Sequence, residues 1–130
     1  MRKLLAVVAC GVGISIFGAC GGGGSSGGGS VSDPVEGCKQ GAQVICDKIF
    51  KCYTKDELDL LKDAVGLNAA DCATKFSADC TPEKQNCNAG ETFHADKASE
   101  CLDGYKTFTC EDIKRSPIVE PAACAQVCTK

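Results

Sequence analysis

The chain has 130 residues, twelve of them cysteine, and a formal net charge of −3. That length allows one small domain, and an acidic balance without any lysine or arginine cluster excludes an electrostatic footprint for nucleic acid or anionic lipid. Five phenylalanines, two tyrosines and no tryptophan make only a modest core, so the cysteines have to supply much of the order.

At the start of the chain Arg2 and Lys3 precede an apolar run over residues 4–17, followed by Gly18, Ala19 and Cys20. Residues 21–30 are glycine and serine alone. The apolar run suits the central region of a secretory signal and falls short of the roughly 20 residues that span a bilayer. An ordinary signal peptidase prefers small residues one and three places before the cut, and cleavage after Ala19 would put Phe17 at the third place. Phe17-Gly18-Ala19-Cys20 resembles the lipobox of bacterial lipoproteins, with Phe17 where the family usually has leucine. This resemblance implies a signal peptide over residues 1–19, removed with Cys10, and a lipid anchor at Cys20, whose acyl chains (palmitate among them) enter the bilayer. Each buried methylene contributes roughly 0.8 kcal/mol, so two or three chains hold a protein firmly where one holds it reversibly. Gly21 lacks the acidic retention signal of many lipoproteins, which points to the outer membrane; simple secretion is the alternative. Residues 20–32 are then the lipidated cysteine and a flexible linker reaching roughly 19 Å.

Residues 33–130 read as one cysteine-rich helical domain. Asp33, Pro34 and Glu36 open a helix predicted to run to about Tyr53, with Ala42, Ile45, Cys46, Ile49, Phe50 and Tyr53 on one face. Thr54 and Glu57 form a capping box for a short helix that turns Leu58, Leu61 and Val65 inward and stops at Gly66. Asn68 caps a third helix, whose stripe of Ala69, Cys72, Ala73, Phe76 and Cys80 follows the helical period. Thr81-Pro82-Glu83 starts a single turn, and Cys87 pins the loop that leads to Gly90. A fourth main helix is predicted from about Thr92 to Tyr105, with Ala98, Cys101, Leu102 and Tyr105 inward. Thr109 with Asp112 opens another short helix ended by Ser116-Pro117, and Pro121 begins a last turn carrying Cys124 and Cys128. No alternating strand pattern of useful length appears, so the fold class is all-α: a small disulfide-stapled bundle of four to five short helices.

Loss of residues 1–19 removes two of 14 basic residues and none of 17 acidic ones, leaving 12 − 17 = −5. Ten cysteines remain besides Cys20, an even number at about one per ten residues, which reads as a framework of up to five disulfides in an exported protein. Zinc sites favour closely paired CxxC or HxxxH spacings, absent here apart from Cys124-x3-Cys128, and the lone histidine is His94. No metal or other cofactor is expected, and thiol redox catalysis lacks its CxxC beside a strand-helix unit. Ten cysteines allow hundreds of pairings. Antiparallel packing of the first and third helices would nest Cys52–Cys72 inside Cys46–Cys80, at a mismatch of about 3 Å. Cys87–Cys101, Cys110–Cys124 and Cys38–Cys128 complete that expectation.

Cys46 and Cys52, Gly66 with Asp71-Cys72 and Cys80, Ala98 with Cys101, Thr109-Cys110, and Pro121 with Cys124 together resemble the cysteine-rich lipoproteins numerous in myxobacteria. The resemblance covers roughly residues 36–128 and implies an envelope location and an all-helical, disulfide-bonded body; Cys38, Cys87 and Cys128 go beyond the pattern. The expected function is a membrane-anchored protein-interaction or structural module with an unidentified protein partner and no catalytic activity. A small apolar-ligand or lipid carrier is the second reading, although the adjacent Cys-Cys and Cys-x-Cys pairs of known helical carriers are missing. An enzyme is the third. Asp56, Glu57, Asp59 and Asp63 supply carboxylates, but Lys55 and Lys62 among them mark a solvated helix face. His94 near a helix start has no serine or cysteine partner in a motif, and reads as a surface residue or local cap rather than a general base.

Overall fold

In the computed structural model, which describes residues 30–130, most helices begin at side chains able to cap them. Helix α1, Pro34–Cys52, starts after Asp33, whose Oδ1 accepts the Glu36 N–H at 2.9 Å. The Glu36 carboxylate does not close a capping box on Asp33; it accepts from the Ser32 hydroxyl at 2.7 Å instead. Helix α2, Lys55–Val65, has both arms of the Thr54–Glu57 box and stops at Gly66, where φ is +80°. A side chain there would also collide with the Asp71 carboxylate, which accepts the Leu67 N–H at 2.9 Å. Helix α3, Ala69–Ser77, is capped by Asn68, and α4 is the single turn Pro82–Gln85.

The following segment departs from the expected helix. Thr92–Phe93 is a short strand, β1, paired antiparallel with β2, Cys128–Thr129, in the register Thr92↔Thr129 and Phe93↔Cys128. Threonine and phenylalanine favour strand geometry. The His94 N–H extends the ladder to the Val127 carbonyl at 2.8 Å, so α5 begins only at Ala95 and runs Ala95–Lys106. Helix α6, Cys110–Lys114, carries the expected Thr109–Asp112 box. A 3-10 turn, Ala122–Gln126, then leads into β2. With only these four strand residues, the described body is a small disulfide-stapled all-α fold.

Helix α1 is the hub and touches α3, α5 and α6. One side presents Cys46 to Cys72 and Val65, with Leu58, Leu61 and Phe76 packed around them. The other presents Ile45 to a larger cluster containing Ala98, Leu102, Tyr105, Ile113 and Val127. Gly104 lets the 3-10 turn approach α5, since a Cβ there would stand 2.6 Å from the Pro121 Cβ. Val31 belongs to the same cluster at 1% exposure, its N–H donating to the Ser99 hydroxyl at 3.1 Å. The packed body therefore includes Val31, which lies in the stretch expected to be linker, because one valine among polar neighbours is apolar enough to dock.

All five expected pairings are corrected. The bridges are Cys38–Cys80, Cys46–Cys72, Cys52–Cys110, Cys87–Cys128 and Cys101–Cys124. The nested arrangement of α1 against α3 exists, but one step along. Cys46–Cys72 is the inner bridge in place of Cys52–Cys72, and Cys38–Cys80 the outer one in place of Cys46–Cys80 and Cys38–Cys128. Cys38 and Cys46 are eight residues apart, as are Cys72 and Cys80, so this register needs no compensation for unequal spacing. Cys80 follows the end of α3 instead of riding on it. Strand pairing brings Cys128 beside the chain leading into β1, which gives Cys87–Cys128 and not Cys87–Cys101. Cys101 on the inner face of α5 meets the 3-10 turn, so Cys124 is its partner and the Cys110–Cys124 bridge does not form. Cys110 instead joins Cys52 at the end of α1.

Candidate functional site

The bridge at the end of α1 sits in the best-defined polar constellation of the described residues. Cys52 is the last residue of α1 and Cys110 the first of α6, with Cα atoms 5.0 Å apart. One turn back on α1, Lys48 Nζ donates to the carbonyls of Lys106 and Phe108 at 2.6 and 2.7 Å, fixing the chain that enters α6. Beyond the bridge, Lys114 Nζ donates to both Glu57 carboxylate oxygens at 2.9 and 2.8 Å and lies 4.8 Å from the centre of the Tyr53 ring. Cys52, Cys110, Glu111, Lys114 and Arg115 line an open concavity of about 480 Å³. Its wall is a disulfide and three charged side chains.

Glu57 has two roles here, because it also closes the cap of α2, accepting the Thr54 N–H at 2.7 Å. The hydrogen-bonded Lys114 ammonium, and after it the Thr54 N–H, hold its carboxyl below the usual carboxylate range. Burial pushes the Tyr53 hydroxyl up, with Lys114 opposing the shift. Asp112 is lowered in the same way as Glu57, by the Thr109 hydroxyl and N–H of its own capping box. A carboxylate whose folded pKa lies below its unfolded one stabilises the fold above the unfolded value and loses that contribution as pH falls through the folded value. Thermal stability is therefore expected to drop as pH falls through and below the ordinary carboxylate range. Glu57→Gln should have a lower melting temperature than wild type at pH 7 and a smaller drop in acid. A pH profile by circular dichroism that the substitution leaves unchanged would remove Glu57 from this dependence.

The other acidic residues of α2 do not converge. Asp59 pairs with Lys55 one turn away, and Asp56 and Asp63 are exposed. His94 stands at the start of α5 but caps none of its N–H groups; its Nε2 lies 2.9 Å from the Thr129 hydroxyl, tying α5 to β2. Among the described residues no group of three or more His, Cys, Asp or Glu side chains could hold a metal ion. Among them too, no helix is long and apolar enough to cross a membrane. Cys20, the expected lipid anchor, lies outside the described residues.

No protein-family model, curated protein or solved structure matches this chain. What can be said of the site rests on its own geometry. Lys48 and Lys114 had no signal in the sequence, since one lysine on a helix reads like any other until its partners are known. Cys52 was visible as a bridge cysteine, but the charged rim around it depends on the contact between α1 and α6.

Proposed function

We propose that this protein is a lipid-anchored component of the bacterial cell envelope, whose disulfide-tied body acts as a protein-interaction or structural module. The observation that carries this reading is the division of the cysteines. Ten are paired with one another in the folded body, which suits an oxidising compartment. Cys20 stands apart from them, between an apolar run with a basic start and a glycine-serine tract. The likeness of Phe17-Gly18-Ala19-Cys20 to a lipobox and of the cysteine pattern to myxobacterial lipoproteins supports the same location. For the body, a concavity rimmed by Glu111, Lys114 and Arg115 suits a polar protein surface better than an acyl chain.

In a bacterial host fed an alkyne-tagged palmitate analogue, the wild-type chain should take up label and lose residues 1–19. Cys20→Ser should remain unlabelled at precursor mass. Equal labelling of the two would overturn the anchor. Crosslinking in intact envelopes followed by mass spectrometry should recover a defined protein partner, whereas lipid recovered alone would favour a carrier.

A further inference from the structure

We propose that the Cys52–Cys110 bridge is a thiol–disulfide exchange site, opened by an external dithiol while the other four bridges stay closed. Cys46–Cys72 lies within the loop closed by Cys38–Cys80, and Cys101–Cys124 within the loop closed by Cys87–Cys128. These four bridges tie two separate segments, 38–80 and 87–128, and none of them joins one segment to the other. Cys52–Cys110 alone does so. Opening it leaves each segment fully cross-linked.

The bridges also differ in access. Cys46, Cys72 and Cys101 are fully buried and Cys38 and Cys80 nearly so, while Cys87, Cys124 and Cys128 are half-buried. Cys110 is the one bridged cysteine that is exposed, and it opens onto the charged concavity. Arg115 stands exposed at the rim and Lys114 reaches the wall from the Glu57 pair, while Glu111 places one negative charge on the same wall, so Arg115 is the cation that the charge effect rests on. Positive charge near a sulfur raises the local concentration of an approaching thiolate and stabilises the thiolate that departs. The surroundings of the bridge have other ties besides the sulfur–sulfur bond. Without it, the Lys48 hydrogen bonds still hold the chain entering α6 to α1, the Lys114–Glu57 pair holds α6 to α2, and Lys114 still lies over the Tyr53 ring at the end of α1.

The chemistry balances with a dithiol as the reductant. One of its thiols, having lost its proton to solvent, attacks the Cys110 sulfur along the bond to Cys52. That bond breaks, and its electron pair leaves on the Cys52 sulfur, which takes a proton from solvent. The second thiol of the reagent, deprotonated in its turn, attacks the mixed disulfide and releases Cys110 as a thiol. The protein gains two electrons and two protons, and the dithiol becomes a disulfide.

The test is graded reduction of the oxidised full chain with dithiothreitol at neutral pH, followed by acid quenching, alkylation and peptide mapping. Cys52 and Cys110 should be alkylated first, as one complete pair, with the helical circular dichroism retained. A different bridge opening first, or all five opening together as helicity is lost, would overturn the proposal. The Cys52→Ser/Cys110→Ser variant should fold with near-native circular dichroism and lack the first reduction phase; failure to fold would make the bridge structural instead. Arg115→Gln should slow mixed-disulfide formation with anionic glutathione by about threefold or more and affect cysteamine little. Equal rates for the two thiols in both proteins would overturn the role of the charged rim.

Discussion

Replacing Cys46 and Cys72 together by alanine is expected to destabilise the protein by about 2–5 kcal/mol. Both cysteines are completely buried between α1, α2 and α3, packed with Val65. In the chain-entropy account a bridge closing 26 residues is worth roughly 3.5 kcal/mol. The outer Cys38–Cys80 bridge already restrains this loop, so part of that entropy is lost with or without the inner one. The sulfurs add packing that alanine cannot replace. Against the 5–15 kcal/mol typical of small domains this is a large share. Urea unfolding followed by circular dichroism should show a lower midpoint for the variant; a midpoint equal to that of wild type would mean that the inner bridge contributes nothing the packing does not. The Cys52→Ser/Cys110→Ser variant provides the comparison: its 58-residue ring carries the larger chain-entropy contribution, but the exposed Cys110 adds little packing, so its loss should report the entropy of ring closure alone.

Ile45→Ala is expected to cost about 2–5 kcal/mol, towards the upper end of that range. Ile45 is 1% exposed and lies one residue before Cys46 in α1, facing the larger cluster. The cost of a truncated core side chain depends on how far its neighbours can close over the cavity. Here they have little freedom: Cys38–Cys80 and Cys46–Cys72 fix α1 to the chain around α3, and Cys101–Cys124 fixes α5 to the 3-10 turn. Leu60→Ala provides the control, since Leu60 is 76% exposed and should change stability by less than about 0.5 kcal/mol. Equal losses for the two leucine and isoleucine variants in denaturant titrations would refute the account of a braced core.

The helices were readable wherever a local interaction sets them. The Thr54–Glu57 and Thr109–Asp112 boxes involve residues three apart and need no knowledge of the rest of the chain, and Gly66 has the positive φ expected of a helix stop. The inward faces of α1 and α5 follow from spacing for the same reason. What could not be read there were relations between distant segments. Two-residue strands leave almost no periodic signal, yet the pairing of Thr92–Phe93 with Cys128–Thr129 decides the partner of Cys87. The register of α1 against α3 was ambiguous because α1 carries three cysteines, and one of them, Cys52, is bridged to Cys110 of α6. Equal eight-residue spacing within two cysteine pairs was a clue to that register. The candidate site shared this difficulty, since its rim is assembled from the ends of α1 and α2 and the whole of α6.

The overlap of the bridges has a consequence for proteolysis. Every peptide bond between Cys38 and Cys128 lies inside at least one ring closed by a disulfide, so no single cut in that span can shed a fragment. Residues 81–86 are the stretch between the two segments, 38–80 and 87–128. Only the Cys52–Cys110 ring encloses them, and Lys84 there is exposed. A cut after Lys84 would leave a nicked molecule of nearly unchanged mass while that ring is closed, and two chains with no covalent link once it is open. One sulfur–sulfur bond then decides whether the two halves of a molecule nicked there stay covalently joined.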